Sequence, residues 1–150
     1  VLCTCCSWCV SFEDGLNMQY RLELLEASYN AGVAISNNYV GYVHAIAHGI
    51  GGMYRLQHGM INATILPIVL EEYGSVVVSK LAKIADVVGI TGANDQDKSM
   101  QFIQKLKDLN QIFTIPTSIP EIQEEDIHYL AIGAEKEGNP SYPTPVTWNV

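Results

Sequence analysis

From Asn17 to Val43 the apolar side chains return every three or four residues, through Leu22, Leu25, Ala27, Tyr29, Val33, Ala34, Val40 and Val43. Nowhere does the chain alternate apolar with polar residues for long enough to specify a strand. A helical repeat with no competing period of two restricts the fold to packed helices, so the expected class is all-α, a bundle of about five or six helices. Small residues crowd the middle of the first segment, at Ala27, Ser28, Ala31, Gly32 and Ala34, which implies a buried helix with a close neighbour. Its pattern runs on through His44 and His48 to Gly49, Gly51 and Gly52, where a turn is expected because glycine weakens a helix by ~1 kcal/mol.

Further along, Met60 to Leu70 is strongly apolar, carries Pro67 internally and stops at Glu71, Glu72, Tyr73 and Gly74. Ser75 to Val88 reads as the next helix, ended by Gly89. Asp95 is placed to cap a helix through Met100, Phe102, Ile103, Leu106 and Leu109. Pro116 and Pro120 then impose an extended connector. Glu121 to Lys136 forms the last helix, closed by Gly138, Asn139 and Pro140.

With 150 residues, 48% of them hydrophobic, the chain can bury one core. Its net charge of −8 disfavours nucleic acid and anionic membrane surfaces as partners. The apolar stretch from Ile61 to Leu70 is interrupted by Asn62, Thr64 and Pro67 and falls short of the ~20 residues a spanning helix needs, so no bilayer crossing is expected. All four cysteines, Cys3, Cys5, Cys6 and Cys9, fall in the first nine residues, so the body of the fold is not a disulfide scaffold. Their order matches no zinc or iron–sulfur spacing. Residues 1–13 therefore read as an irregular cysteine-rich start and residues 14–150 as the helical domain. Val1 to Val10 shows neither the basic region nor the cleavage site of a signal peptide, and a cytoplasmic location is expected.

The histidines carry the chemical information. His44 and His48 are one helical turn apart and project from the same face. Fourteen residues of unbroken helix would carry His58 ~21 Å from His44, whereas two nitrogens on one metal lie within about 4 Å of each other. A break between them, at the glycines, would fold the chain back and put His58 at the start of the next helix. Spacing alone leaves His44 with His48, or His44 with His58, as a ligand pair. Ala45 stands where a zinc protease would place its glutamate base, so peptide hydrolysis of that kind is disfavoured. The acid-rich pair Glu124 and His128 reads as a solvated charge face. The run Gly49-x-Gly51-Gly52 lacks the third glycine and the preceding strand of a dinucleotide fingerprint.

The run from Ala31 to His48, followed by Gly51-Gly52, His58-Gly59, Asn62-Ala63, Leu66-Pro67 and Glu71, resembles the signature of iron-containing alcohol dehydrogenases. A weaker likeness extends from about Asp14 to Trp148 and takes in the segment from Glu137 to Pro145. The resemblance is to the C-terminal helical domain of the dehydroquinate synthase-like and iron-containing alcohol dehydrogenase fold.

That resemblance implies an NAD(P)-linked enzyme interconverting an alcohol with an aldehyde or ketone. Iron(II), or zinc in a related polyol dehydrogenase, polarises the substrate oxygen. It implies His44 and His58 as metal ligands and His48 as a non-ligand that transfers the proton. The family's other two ligands, on an Asp-x-x-x-His helix, have no counterpart here. The same likeness implies that the N-terminal nucleotide-binding domain, which binds NAD or NADP, is not part of this chain, and that the chain alone is inactive. Ile35, where many members carry Phe, and Asn37 are the expected pocket residues, with Ser36 and Asn37 alternatively satisfying backbone carbonyls. Apolar faces left over from the other domain would favour a homo-oligomer. The competing reading is a non-catalytic helical module for metal binding or subunit interaction.

Overall fold

The computed structural model describes residues 14–139 and 141–150, so the cysteines at 3, 5, 6 and 9 and the expectation of an irregular start at 1–13 lie outside the described residues. Six α-helices follow one another among them, with no strand, in agreement with the all-α reading: α1 Met18–Asn38, α2 Tyr42–Tyr54, α3 His58–Tyr73, α4 Val78–Val87, α5 Asp95–Ile112 and α6 Ile127–Gly138. Short 3-10 turns at Gly74–Val77 and Glu124–Asp126 lead into α4 and α6, so the last helix starts later than Glu121. The chain divides into two compact units at Tyr39 and Val40.

The first unit contains α1, whose N-terminus is capped by Asn17, its side chain accepting from the amides of Gln19 and Tyr20. The burial expected of this helix is not found: only Ala27 is buried, while Leu25 is 66% and Tyr29 71% exposed. Periodicity reports that a helix has an apolar face, not that a partner covers it. The expected continuity into His44 also fails. The helix ends at Asn38, and Tyr39 takes a positive φ of 61° before α2 begins after Gly41.

In the second unit α2 packs against α3 and α6, α3 against α5, and α4 against α5. One cluster joins Tyr42, Val69, Tyr73, Val77, Leu81, Phe102 and Ile103, and a second gathers Ala47, Ile50, Ile61 and Ile65 between α2 and α3. Pro67 sits inside α3 and cannot donate to the carbonyl four residues back. Asn110 on α5 supplies the missing donor, its side-chain amide reaching the Ala63 carbonyl at 2.7 Å. The helical run His58–Val87 is, by length and composition, long and apolar enough to cross a membrane. Here it changes to 3-10 geometry at Gly74 and supplies much of the core, which accounts for its apolar character. The N-cap of α5 is Asn94, not Asp95, with its Oδ1 accepting from the Asp97 amide at 2.9 Å.

The tail is fastened by Trp148, whose ring stacks on Tyr42 at 4.7 Å and on Tyr73 at 4.9 Å between centroids. The Tyr42 hydroxyl accepts from the Trp148 amide at 2.8 Å and donates to Asn139, and the Asn139 side-chain amide donates to the Trp148 carbonyl.

Candidate functional site

The glycines at 49, 51 and 52 do not form the expected turn. All three lie inside α2, and the chain reverses one turn later, at Arg55 to Gln57. At Gly49 and Gly51 the use is packing against a neighbour rather than breakage, while nothing lies within 4 Å of a Cβ at Gly52. A Cβ on Gly49 would meet the Leu130 side chain of α6 at 3.3 Å, and one on Gly51 would touch Ile61 of α3 at 3.5 Å. Arg55, in the left-handed region at φ 56°, ends α2 with its amide bonded to the Gly51 carbonyl. The functional consequence is the expected one, since His58 becomes the first residue of α3.

Folding back brings three imidazoles together. The His44 and His58 ring centroids are 5.4 Å apart, those of His48 and His58 5.0 Å, and those of His44 and His48 6.1 Å. Two imidazoles bound to one ion at ~2.1 Å per nitrogen leave their ring centres roughly 5 Å apart, a separation that both the His44–His58 and the His48–His58 pairs come near and that does not choose between them. Imidazole nitrogens suit iron(II) and zinc alike. Burial, with the neighbouring His58 and His48 acting in the same direction and Glu137 opposing, holds His44 below the ordinary imidazole pKa. A neutral ring keeps the lone pair that a ligand must offer. Among the described residues no three His, Cys, Asp or Glu side chains form a group that could hold a metal ion.

Neither Asn62 nor Glu137 stood out in the sequence as a site residue, yet both touch the cluster. The Asn62 amide lies 2.8 Å from His58 Nε2, and its Oδ1 is buried without a partner among the described residues. An ion held through Nε2 displaces this amide, and one held through Nδ1 leaves it in place. Glu137 Oε1 on α6 lies within hydrogen-bond distance of His48 Nδ1, at 2.6 Å. His48 also lines an open groove of about 510 Å³ with Gly49, Gly52, Met53, Gly133 and Lys136. Local spacing could not reveal Glu137, which lies 89 residues from His48.

The remaining sequence candidates belong to the other compact unit. Ile35 is 45% exposed on α1. Ser36 and Asn37 bond the carbonyls of Gly32 and Val33 one turn back, at 2.9 and 2.7 Å, which is the backbone-satisfying alternative. Glu124 and His128 are both exposed, as a solvated face requires.

The three histidines stand on two successive helices joined by a tight turn, and comparison with known proteins shows the family to which such a chain belongs. The model of the Fe-containing alcohol dehydrogenase family, C-terminal part, matches residues 7–149, and the chain belongs to that family. It is 37% identical over 129 residues to 1,3-propanediol dehydrogenase of Klebsiella pneumoniae, covering 83% of this chain and 33% of that protein. It is 34% identical over 125 residues to NAD-dependent methanol dehydrogenase of Bacillus methanolicus, covering 81% of this chain and 33% of that protein. The structure of an alcohol dehydrogenase from Oenococcus oeni superposes with a TM-score of 0.90 at 32% identity, covering 99% of this chain and 39% of that one. The chain thus spans about a third of the length of the curated relatives it matches.

Proposed function

We propose that this chain is the metal-binding, proton-handling part of an NAD(P)-dependent alcohol dehydrogenase that interconverts a small alcohol with its aldehyde or ketone. The reading is supported by membership of the Fe-containing alcohol dehydrogenase family together with the gathering of the His44, His48 and His58 rings within 5.0–6.1 Å of one another by the reversal at Arg55 to Gln57. When bound, iron(II) or zinc supplies a Lewis acid for the substrate oxygen, and the nicotinamide supplies a hydride acceptor. His44 and His58 hold the ion from two successive helices. His48, one turn along α2 from His44, receives the proton of the alcohol O–H as the hydride leaves the carbon, and returns it when a carbonyl is reduced. The nicotinamide and the remaining ligands are supplied by parts of the family fold that this chain does not span, so the chain acts as one portion of the site.

The test is alcohol oxidation by the complete protein, followed through the absorbance of reduced nicotinamide. His44→Ala and His58→Ala should each lower both bound metal and turnover. His48→Ala should keep the metal and lose turnover by at least ~100-fold, within the range for removal of a proton-transfer group. Full activity in His44→Ala and His58→Ala would refute the metal assignment.

A further inference from the structure

The proton carrier is itself held by a second residue. Glu137 Oε1 lies 2.6 Å from His48 Nδ1 and accepts from the Tyr142 hydroxyl at 2.7 Å. Three elements meet there: α2 brings His48, the last turn of α6 brings Glu137, and the tail beyond it brings Tyr142. The meeting depends on two glycines. Gly49, next to His48, admits the Leu130 side chain of α6. Gly138, next to Glu137, admits the Tyr42 ring of α2 so closely that a Cβ there would lie 2.5 Å from a ring carbon. Both glycines bring α6 near α2 where the carboxylate must reach the imidazole.

We propose that Glu137 is a positioning residue that fixes His48 with its proton on Nδ1 and leaves Nε2 as the nitrogen that exchanges a proton with substrate, and that Tyr142 in turn holds the Glu137 carboxylate. A carboxylate accepts hydrogen bonds and cannot donate them, so the nitrogen facing it must carry hydrogen. A charge-assisted bond of this kind biases the choice of ring nitrogen by roughly tenfold or more. His48 and Glu137 retain 47% and 32% side-chain exposure, so the pair adds little to stability and its effect falls on the ring's orientation and tautomer. During alcohol oxidation the O–H proton would pass to Nε2, with the nicotinamide, when bound, supplying the acceptor for the hydride from carbon, and the imidazolium formed would be balanced by the Glu137 carboxylate. Reduction runs the same transfers in reverse. This inference rests on His48 being the proton carrier.

Two measurements test it. Proton–nitrogen correlation of the labelled chain, recorded above the range in which imidazoles titrate, should show His48 as the Nδ1–H tautomer. Glu137→Ala should shift it toward Nε2–H, and Tyr142→Phe should shift it part of the way. The near-ultraviolet dichroism of Trp148, stacked between Tyr42 and Tyr73, should stay unchanged in both variants as the check on folding. In the complete enzyme Glu137→Ala should lower kcat by roughly tenfold or more with KM within about twofold, and Tyr142→Phe should lower kcat less. An Nε2–H tautomer in the parent chain, a tautomer indifferent to Glu137→Ala, or a shifted tautomer with unchanged kcat would each overturn the proposal. An intact tautomer response in a complete protein that oxidises no alcohol would instead refute the functional reading.

Discussion

Helices α1 and α3 both carry many apolar side chains and have opposite fates. α3 sinks Ile61, Ile65 and Val69 into the core of the second unit, whereas α1 buries only Ala27 and leaves Leu22, Leu25, Tyr29 and Val33 exposed. Their polar groups differ in the same way. Ser36, Asn37 and Asn38 of α1 bond the carbonyls of their own helix, while the α3 carbonyl freed by Pro67 is claimed by Asn110 from another helix. A helix whose bonds close upon itself is self-contained. One whose bonds are completed from outside fixes the position of what it carries, and α3 carries His58. Precise placement of the histidine cluster therefore comes from cross-helix bonds and close glycine contacts within the second unit.

Substitutions can break or sharpen this contrast. The largest effect is expected from Ile61→Ala, which empties a fully buried site and should cost ~2–5 kcal/mol in denaturant unfolding. Its counterpart Leu25→Ala, at a position 66% exposed, should cost under ~0.5 kcal/mol. Equal costs would remove the contrast. Next, Gly138→Ala forces a methyl against Tyr42 and should destabilise by about 1–3 kcal/mol, with loss of the Trp148 dichroism. Asn110→Ala should cost about 1–3 kcal/mol in a chemical melt by orphaning the Ala63 carbonyl. The smallest change is Gly32→Ala in α1, where nothing lies within 4 Å of the added methyl. It should stabilise that helix by about 0.5–1 kcal/mol, seen as slower amide exchange over Met18–Asn38.

Much of this was legible in the letters. The all-α class followed from the repeat, and His58 at the head of a returning helix followed from the geometric need to bring it back to His44. The place of the return was misread because glycine signals both helix breaking and close packing. Gly49 and Gly51 serve the second purpose, and the left-handed turn falls to Arg55, which no propensity would have chosen. The exposure of α1 was not legible either, since an apolar stripe names no partner. Glu137 and Tyr142 were hidden for a different reason: Glu137 meets His48 across the packing of α2 against α6 and Tyr142 joins only through Glu137, and nothing within a local window connects them to His48.

Convergence of His44 and His58 on one ion is the claim beneath all the rest, and a titration of the chain with a paramagnetic divalent ion such as Mn²⁺ or Co²⁺, read on the histidine ring protons, tests it most directly. The ring signals of His44 and His58 should broaden together at the lowest ion concentrations, while the exposed His128 stays sharp. Broadening of His128 at the same concentrations, or of His44 without His58, would contradict a shared site.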